Sequence, residues 1–297
     1  MQDLSAFAEQ NGIEVLYDEP MSEHTSMRVG GKAARFLNAP SGSLPALLTL
    51  LRESGEKFAV IGNGTNLLVP DEGYDGSVVR MIPEEPRLSG TEITCCAGTS
   101  LAYLATFAAK KDLSGLEFAH GIPGTVGGAV CMNAGAYGGE MSKVVKETAY
   151  FYGGEIKRLT GEEHLFGYRR SFFTEHPGAV VLESTFTLVP GDRKSIEEKM
   201  RELMKKRRAS QPLNYPSAGS VFKRPEGYFA GKLIEDCGLK GYRIGGACVS
   251  EKHAGFIVNK GGASCRDVSE LIAYIQKTGE ERFGVRLERE VKIIGEV

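Results

Sequence analysis

The stretch 121-GIPGTVGGAVCMNAGAYGG-139 decides how this chain is read. Seven of its nineteen residues are glycine, and Pro123 stiffens its start. With side chains nearly absent, a ligand can approach the backbone closely. Bare N–H groups in such a loop suit the oxygens of a diphosphate. A second Gly/Asn-rich stretch lies upstream, 61-IGNGTNLLV-69. Either loop alone reads equally well as a tight turn. Two in one chain point to a large, phosphate-bearing ligand held between two subdomains.

Length and composition narrow the class. A chain of 297 residues can bury a sizeable core and form two or three domains. The formal net charge of −2 argues against broad nucleic-acid binding, which needs a basic face. The one basic run, 205-KKRR-208, falls on a predicted helix and reads as a solvated face. No apolar run has the length of a membrane span, and the N-terminus lacks a secretion pattern, so a cytoplasmic location is expected. The six cysteines form no C-x-x-C pair and have no clustered histidines beside them. Neither a metal nor a disulfide is expected.

Periodicity supplies the elements. A short helix and a lead-in segment occupy 1–24, and 24-HTSMRVGG-31 runs into a strand. Leu44, Leu47, Leu48 and Leu51 give a helix that Ser43 can cap and Gly55 can end. The strand KFAVI delivers the 62–66 loop with no long helix after it, unlike a Rossmann fingerprint. A helix capped by Thr99 or Ser100 precedes the glycine-rich stretch. A hairpin turning at Gly153-Gly154 follows it. Ser195 with Glu198 reads as the capping box of a helix carrying Ile196, Met200, Leu203 and Met204. The proline-bearing stretch 210-SQPLNYPSAGS-220 marks a domain boundary. Beyond it come short strands, a long helix built on Val268, Leu271, Ile272 and Ile275, and a last strand, 285–294. In that strand Val285, Leu287, Val291 and Ile293 share one side, and Glu288, Glu290 and Lys292 the other.

Taken together, these motifs resemble the UDP-N-acetylenolpyruvoylglucosamine reductases, the MurB family of flavoenzymes in peptidoglycan precursor synthesis. HTSMRVGG is similar to the family's N-terminal motif. IGNGTNLLV and GIPGTVGGAVCMNAGAYGG look like its two flavin-contacting loops. GYRRS, PSAGSVFKRP, KHAGFIVN and LEREVKIIGE look like its active-site and substrate-domain segments, in the family's order. The resemblance implies an α+β fold of three parts: an N-terminal segment 1–24, an FAD-binding domain 25–209 of the vanillyl-alcohol-oxidase type, split near 98–110, and a substrate-binding domain 210–297. It implies NADPH-driven reduction of an enolpyruvyl ether on a UDP-sugar, through non-covalent FAD. The segment between Arg169 and Ser220 is filled by a strand and one helix, with little room for the Tyr-bearing lid of longer members, so the chain looks like the shorter type. No obligate protein partner is implied. The competing reading is another FAD-dependent oxidoreductase of the same fold, acting on a small alcohol or sugar acid.

Site residues follow from the matched motifs. Arg169, in GYRRS, has the fork of donors that suits a carboxylate. Ser220, in PSAGSVF, matches the family's proton donor. A hydroxyl needs local stabilisation of its alkoxide to serve as an acid. Glu290, before V-x-I-I-G, matches the catalytic glutamate; it would polarise the carboxylate jointly with Arg169, or relay the proton. Glu288 is its look-alike two residues away. For the FAD diphosphate the expected residues are Gly62, Asn63, Gly64, Thr65 and Asn66, with Gly121, Ile122, Pro123, Gly124, Thr125, Gly127 and Gly128 on the other side. Asn133, Ala134 and Gly135 are expected toward the flavin ring. Gln211, Lys223 and Arg224 are expected near the substrate's nucleotide or phosphates.

Overall fold

The structure is a computed structural model and describes residues 4–295. The chain falls into two compact units. One comprises the residues up to Leu16, Arg35–Gly62 and Gly76–Arg207; the other comprises Tyr17–Ala34, Asn63–Asp75 and the residues from Arg208 onward. Segments 17–34 and 63–75 therefore group with the C-terminal part of the chain, although sequence order sets them near the N-terminus.

In the first unit a five-stranded antiparallel sheet runs in the order Glu155–Thr160, Val145–Tyr152, Val180–Thr187, Glu92–Cys96, Arg87–Ser89. Its outer hairpin turns where the sequence predicts. Gly153 and Gly154 adopt φ of 65° and 88°, and Tyr152 pairs directly with Glu155. A two-residue turn of this kind requires positive φ and fixes the register. A parallel pair, Phe58–Ile61 with Ser77–Arg80, delivers the chain to the first glycine loop. One apolar cluster gathers Leu47, Leu51, Ile93, Leu104, Val130, Phe186 and Leu203. Each such side chain contributes about 1.5–3 kcal/mol on burial.

The helix signals hold with two corrections. Ser100 caps Leu101–Lys110, its hydroxyl accepting the Tyr103 N–H at 3.2 Å. Ser43 does not cap Leu44–Glu53, because its hydroxyl donates instead to the Asn11 carbonyl at 3.0 Å. Ser195 is not a cap either. The Asp192 carboxylate accepts its N–H and its hydroxyl at 2.9 and 2.8 Å, so the helix begins at Arg193. A carboxylate is the stronger acceptor, and these bonds hold its pKa below the usual range.

In the second unit an antiparallel sheet runs Ser217–Ser220, Phe256–Asn259, Ala247–Val249, Arg243–Ile244. The helix Cys265–Phe283 buries Val268, Leu271, Ile272 and Ile275. Ser264 and Asp267 form its capping box, and Gly284 ends it at φ 66°. The last expected strand is mostly absent. Only Lys292–Ile293 forms a ladder, parallel to Leu67–Leu68. Residues 285–290 form no continuous ladder, although Arg289 bridges to Phe222. The alternation breaks at Glu290, because the N–H groups of Glu290 and Val291 both point to the Val221 carbonyl, at 2.7 and 3.4 Å. Glu290 and Val291 are consecutive and both buried, so Glu290 does not share a solvent face with Glu288.

Candidate functional site

In the first unit the glycine-rich stretch is clamped by backbone bonds. Val126 and Gly127 donate to Thr99 and Ala97 at 2.8 and 2.9 Å, and Leu101 donates to Gly124 at 3.0 Å. Inside it lies a short helix, Val126–Cys131, which the run of glycines conceals in the sequence. Thr125 caps it by accepting from the Gly128 N–H at 3.4 Å. Gly127 has no room for a side chain, since a Cβ would sit 2.8 Å from that of Ala97. Gly62 abuts the same stretch: a Cβ on it would lie 2.4 Å from the Thr125 hydroxyl oxygen.

The same unit fixes Arg169. Gly167 and Arg170 close a tight turn by mutual backbone bonds of 3.0 and 3.3 Å, which leaves Arg169 at φ 54°. That left-handed conformation costs a non-glycine residue about 1–2 kcal/mol and persists only where neighbours enforce it. The enforcing bonds come from the glycine-rich stretch. The Asn133 amide donates to the Gly167 carbonyl at 3.1 Å, and the Ser171 hydroxyl donates to the Cys131 carbonyl at 2.6 Å. Asn133, itself left-handed, also accepts from the Ser142 N–H at 2.9 Å. The Arg169 guanidinium lies 5.4 Å over the ring of exposed Tyr168. Of the residues expected at the cofactor, Pro123 is exposed, and Ile122, Gly124, Ala134 and Gly135 are partly so.

These residues fit a bound cofactor. The face of Gly128 is open apart from the Thr125 hydroxyl, at 3.6 Å from a Cβ placed there. Next to the stretch, His120 keeps Nδ1 sealed from solvent with no hydrogen-bond partner among the described residues. Burial holds that imidazole below its ordinary pKa, hence neutral, with one ring nitrogen still to be satisfied.

The second unit joins five motifs by hydrogen bonds. Gly64 is left-handed at φ 59°, and a Cβ there would strike the His24 carbonyl oxygen at 2.1 Å. Its own carbonyl accepts the Ser26 N–H at 3.1 Å. The Ser26 hydroxyl donates to the Ser217 carbonyl at 2.7 Å. The Asn66 amide donates to the Glu290 carbonyl at 3.3 Å, and the Asn66 carbonyl accepts from Lys292 at 3.0 Å. Asn259, at the end of KHAGFIVN, donates to the Met27 carbonyl at 3.1 Å and accepts from Gly261 at 2.8 Å. Asn259 is therefore a structural clasp between HTSMRVGG and the C-terminal sheet. Asn63 is exposed and Thr65 partly so.

Ser220 and Glu290 come together at this corner. Ser217 pairs with Val258 and Ser220 with Phe256, so Ala218 and Gly219 together face the single Ile257, one residue more than a regular ladder holds. Gly219 sits at φ 77°, which a bulge of this kind asks of a glycine, and the bulge re-aims the serine after it. The next residue, Val221, accepts the Glu290 N–H on its carbonyl at 2.7 Å. Glu290 is 8% exposed, whereas the Glu288 side chain is 69% exposed and ion-pairs with Lys223. The two look-alike carboxylates thus occupy different environments.

The expected substrate residues separate. Gln211 lines a cavity of about 640 Å³ together with Tyr215, Lys252 and Lys260. The Lys260 ammonium stands 3.8 Å over the Tyr215 ring, and the Gln211 side-chain oxygen is buried without a partner among the described residues. Lys223 is instead engaged with Glu288, and the Arg224 guanidinium lies 4.7 Å over the Phe229 ring. Among the described residues no three His, Cys, Asp or Glu side chains cluster as metal ligands would, and no helix is long and apolar enough to cross a membrane.

Comparison with known proteins places this geometry. Residues 41–159 match the FAD-binding domain, so the chain is an FAD-dependent flavoprotein of mixed α+β architecture. Residues 211–294 match the C-terminal domain of UDP-N-acetylenolpyruvoylglucosamine reductase. The chain is 50% identical to the reductase of that name from Caldanaerobacter subterraneus, over 94% of its own length and 93% of that protein. It is 48% identical to the one from Clostridium perfringens, over 96% and 94%. The crystal structure of the enzyme from Thermus caldophilus superposes with a TM-score of 0.80 at 36% identity, covering 95% of this chain and 98% of that one. The chain belongs to the UDP-N-acetylenolpyruvoylglucosamine reductase family.

Proposed function

We infer that the protein reduces the enolpyruvyl ether of UDP-N-acetylglucosamine to the lactyl ether, UDP-N-acetylmuramate, at the expense of NADPH. The balance is one hydride to the methylene carbon and one proton to the carbon bearing the carboxylate, with NADP⁺ as the other product. FAD, when bound, supplies the hydride chemistry. The chain's own residues position, polarise and protonate. Gly62, the 63–66 segment, Gly121–Thr125, Gly127 and Gly128 hold the diphosphate, and Asn133–Gly135 lie toward the ring. Arg169 takes the substrate carboxylate in its fork and stabilises the charge that develops there. Ser220 gives the proton, and Glu290 polarises the carboxylate. Gln211 belongs to the nucleotide subsite, with Lys223 and Arg224 in supporting contact. The reaction is assigned to the cytoplasm and needs no protein partner.

One observation carries this reading beyond the family match. The Val221 carbonyl, directly after Ser220, holds the backbone of Glu290, and Asn66 of the first glycine loop holds the same residue from its other side. Proton donor, carboxylate and cofactor loop are thereby set in one hydrogen-bonded frame. The test is spectroscopic. The purified protein is expected to be yellow, to release FAD into the supernatant on acid precipitation, to bleach with anaerobic NADPH and to regain colour with the enolpyruvyl UDP-sugar. FMN in the supernatant, flavin in the pellet, or bleached protein that ignores the sugar would each contradict it.

A further inference from the structure

The basic run at 205–208 is not the uniformly solvated face that its sequence suggests. Lys205, Lys206 and Arg208 are exposed, but Arg207 is half-buried and its Nε is sealed from solvent. Helical spacing explains the difference. Ile196, Met200 and Leu203 form the buried stripe of Arg193–Ser210, and position 207 continues that stripe one turn further. A guanidinium thus stands where the pattern asks for an apolar side chain.

What it packs against is the start of the glycine-rich stretch. A Cβ on Gly121 would lie 3.3 Å from the Arg207 Cδ and 3.8 Å from its Nη1, with the Met204 methyl at 3.5 Å. The far end of the same stretch lies within electrostatic range of it. Tyr137, left-handed at φ 54° in the turn between Gly135–Ala136 and Gly139–Glu140, is close enough to act on its charge. Burial pushes the Arg207 guanidinium pKa down and the Tyr137 phenol opposes this, yet an arginine remains charged throughout the physiological range. A fixed cation is therefore held against the first glycine of the loop assigned to a diphosphate. A guanidinium fork is well matched to phosphate oxygens.

We propose that Arg207 is a cofactor-binding residue, donating its guanidinium to the diphosphate of FAD beside Gly121. The proposal rests on the FAD reading of the loop and adds the positive charge that backbone N–H groups alone do not supply. It also gives the helix Arg193–Ser210 a task besides packing.

The experiment compares FAD with riboflavin, which has no phosphate, on apoprotein prepared from the full chain. Arg207→Met keeps an unbranched stem for packing while removing the charge. FAD affinity, followed by quenching of flavin fluorescence, is expected to fall about ten- to a hundredfold, the scale of a lost charge-assisted bond. Its salt dependence should flatten, while riboflavin binding and the apoprotein's thermal midpoint stay near wild type. Arg207→Lys serves as second variant if the first folds poorly, and should lose part of the FAD affinity and none of the riboflavin affinity. Unchanged FAD affinity in either variant, or equal weakening of FAD and riboflavin, would overturn the proposal, the latter outcome making Arg207 a packing residue of the loop. Wild-type protein that binds riboflavin but not FAD would instead sink the FAD reading itself.

Discussion

The glycine-rich stretch of the first unit and the Ser220–Glu290 corner of the second solve different problems. In the first, backbone is exposed by deleting side chains, and the few polar side chains present shape backbone: Thr125 caps, Asn133 grips the Arg169 turn. In the second, glycine serves close approach at Gly64, over His24, and a left-handed bulge at Gly219. There stand the two side chains to which we assign the chemistry, Ser220 and buried Glu290. Loss of a glycine in the first region should damage cofactor binding. Loss of a side chain in the second should damage a chemical step and leave cofactor binding intact.

The sharpest way to break that comparison is Ser220→Ala. Bleaching by NADPH needs no proton at the substrate carbon, so the reductive half-reaction should be nearly unchanged. The oxidative half-reaction with the UDP-sugar should slow by about 10²–10⁴-fold, the span of a positioned proton donor. That is roughly 3–5 kcal/mol of barrier. Stopped-flow absorbance separates the halves. If both slow equally, Ser220 shapes the cofactor site and the division of labour collapses. If neither slows, the proton comes from elsewhere.

A smaller but more discriminating contrast lies within the corner. Glu290→Gln should lower turnover by roughly 10²-fold, the scale of lost electrostatic or acid–base assistance. Glu288→Gln removes only an ion pair with Lys223 on an exposed carboxylate, a contribution of about 0–1 kcal/mol. Its turnover should stay near wild type. The reverse ranking in steady-state kinetics would mean that the buried carboxylate is structural.

These environments show what local pattern could and could not reveal. The Gly153-Gly154 hairpin, the leucine-spaced helix and the long C-terminal helix were legible, because turn chemistry and periodicity are local properties. The helix Val126–Cys131 was concealed because Gly127 and Gly128 look like loop; Thr125 three residues before Gly128 was its one signal. Ser195 reads as a cap by residue type and spacing, yet Asp192, three residues earlier, is the stronger acceptor and takes that place. Glu288 and Glu290 are indistinguishable by alternation, since the break at Glu290 comes from the long-range sharing of the Val221 carbonyl by the N–H groups of Glu290 and Val291. Long-range pairing also draws 17–34 and 63–75 into the C-terminal unit, and no local pattern encodes that. The residues proposed for the site come from family resemblance. Arg207 is proposed from the structure alone, because a basic run hides the one member that lies on the helix's buried stripe.

The smallest effect concerns polar groups that serve the fold alone, and it gives the comparison a control. His164 is 0% exposed inside the first unit. Its Nδ1–H donates to the Gly161 carbonyl at 3.0 Å, so Nε2 must accept, and the Thr148 hydroxyl donates to it at 2.9 Å. Thr148 in turn lies 3.1 Å from the Ser184 hydroxyl. Burial is the largest influence and pushes the imidazole pKa below 6.5; the Gly161 carbonyl and Glu163 oppose it without reversing it. In the unfolded chain the imidazole takes up its proton near 6.5. The stability that His164 contributes is therefore fully present above that pH and is lost as pH falls toward the depressed folded value. The slope can reach at most about 1.4 kcal/mol per pH unit for one proton. His164→Gln should be less stable than wild type in urea at pH 7.5, and the gap should narrow at pH 5.5, because the variant has no proton to gain there. His120 and His253 are likewise held below their ordinary pKa by burial, so part of the wild-type slope should survive in the variant. The half-reaction rates at pH 7.5 should be unaffected, in contrast to Ser220→Ala. A gap that stays constant with pH would mean that the folded imidazole accepts its proton as readily as the unfolded one. The Thr148 hydroxyl would then have to turn away from Nε2 on protonation at no measurable cost.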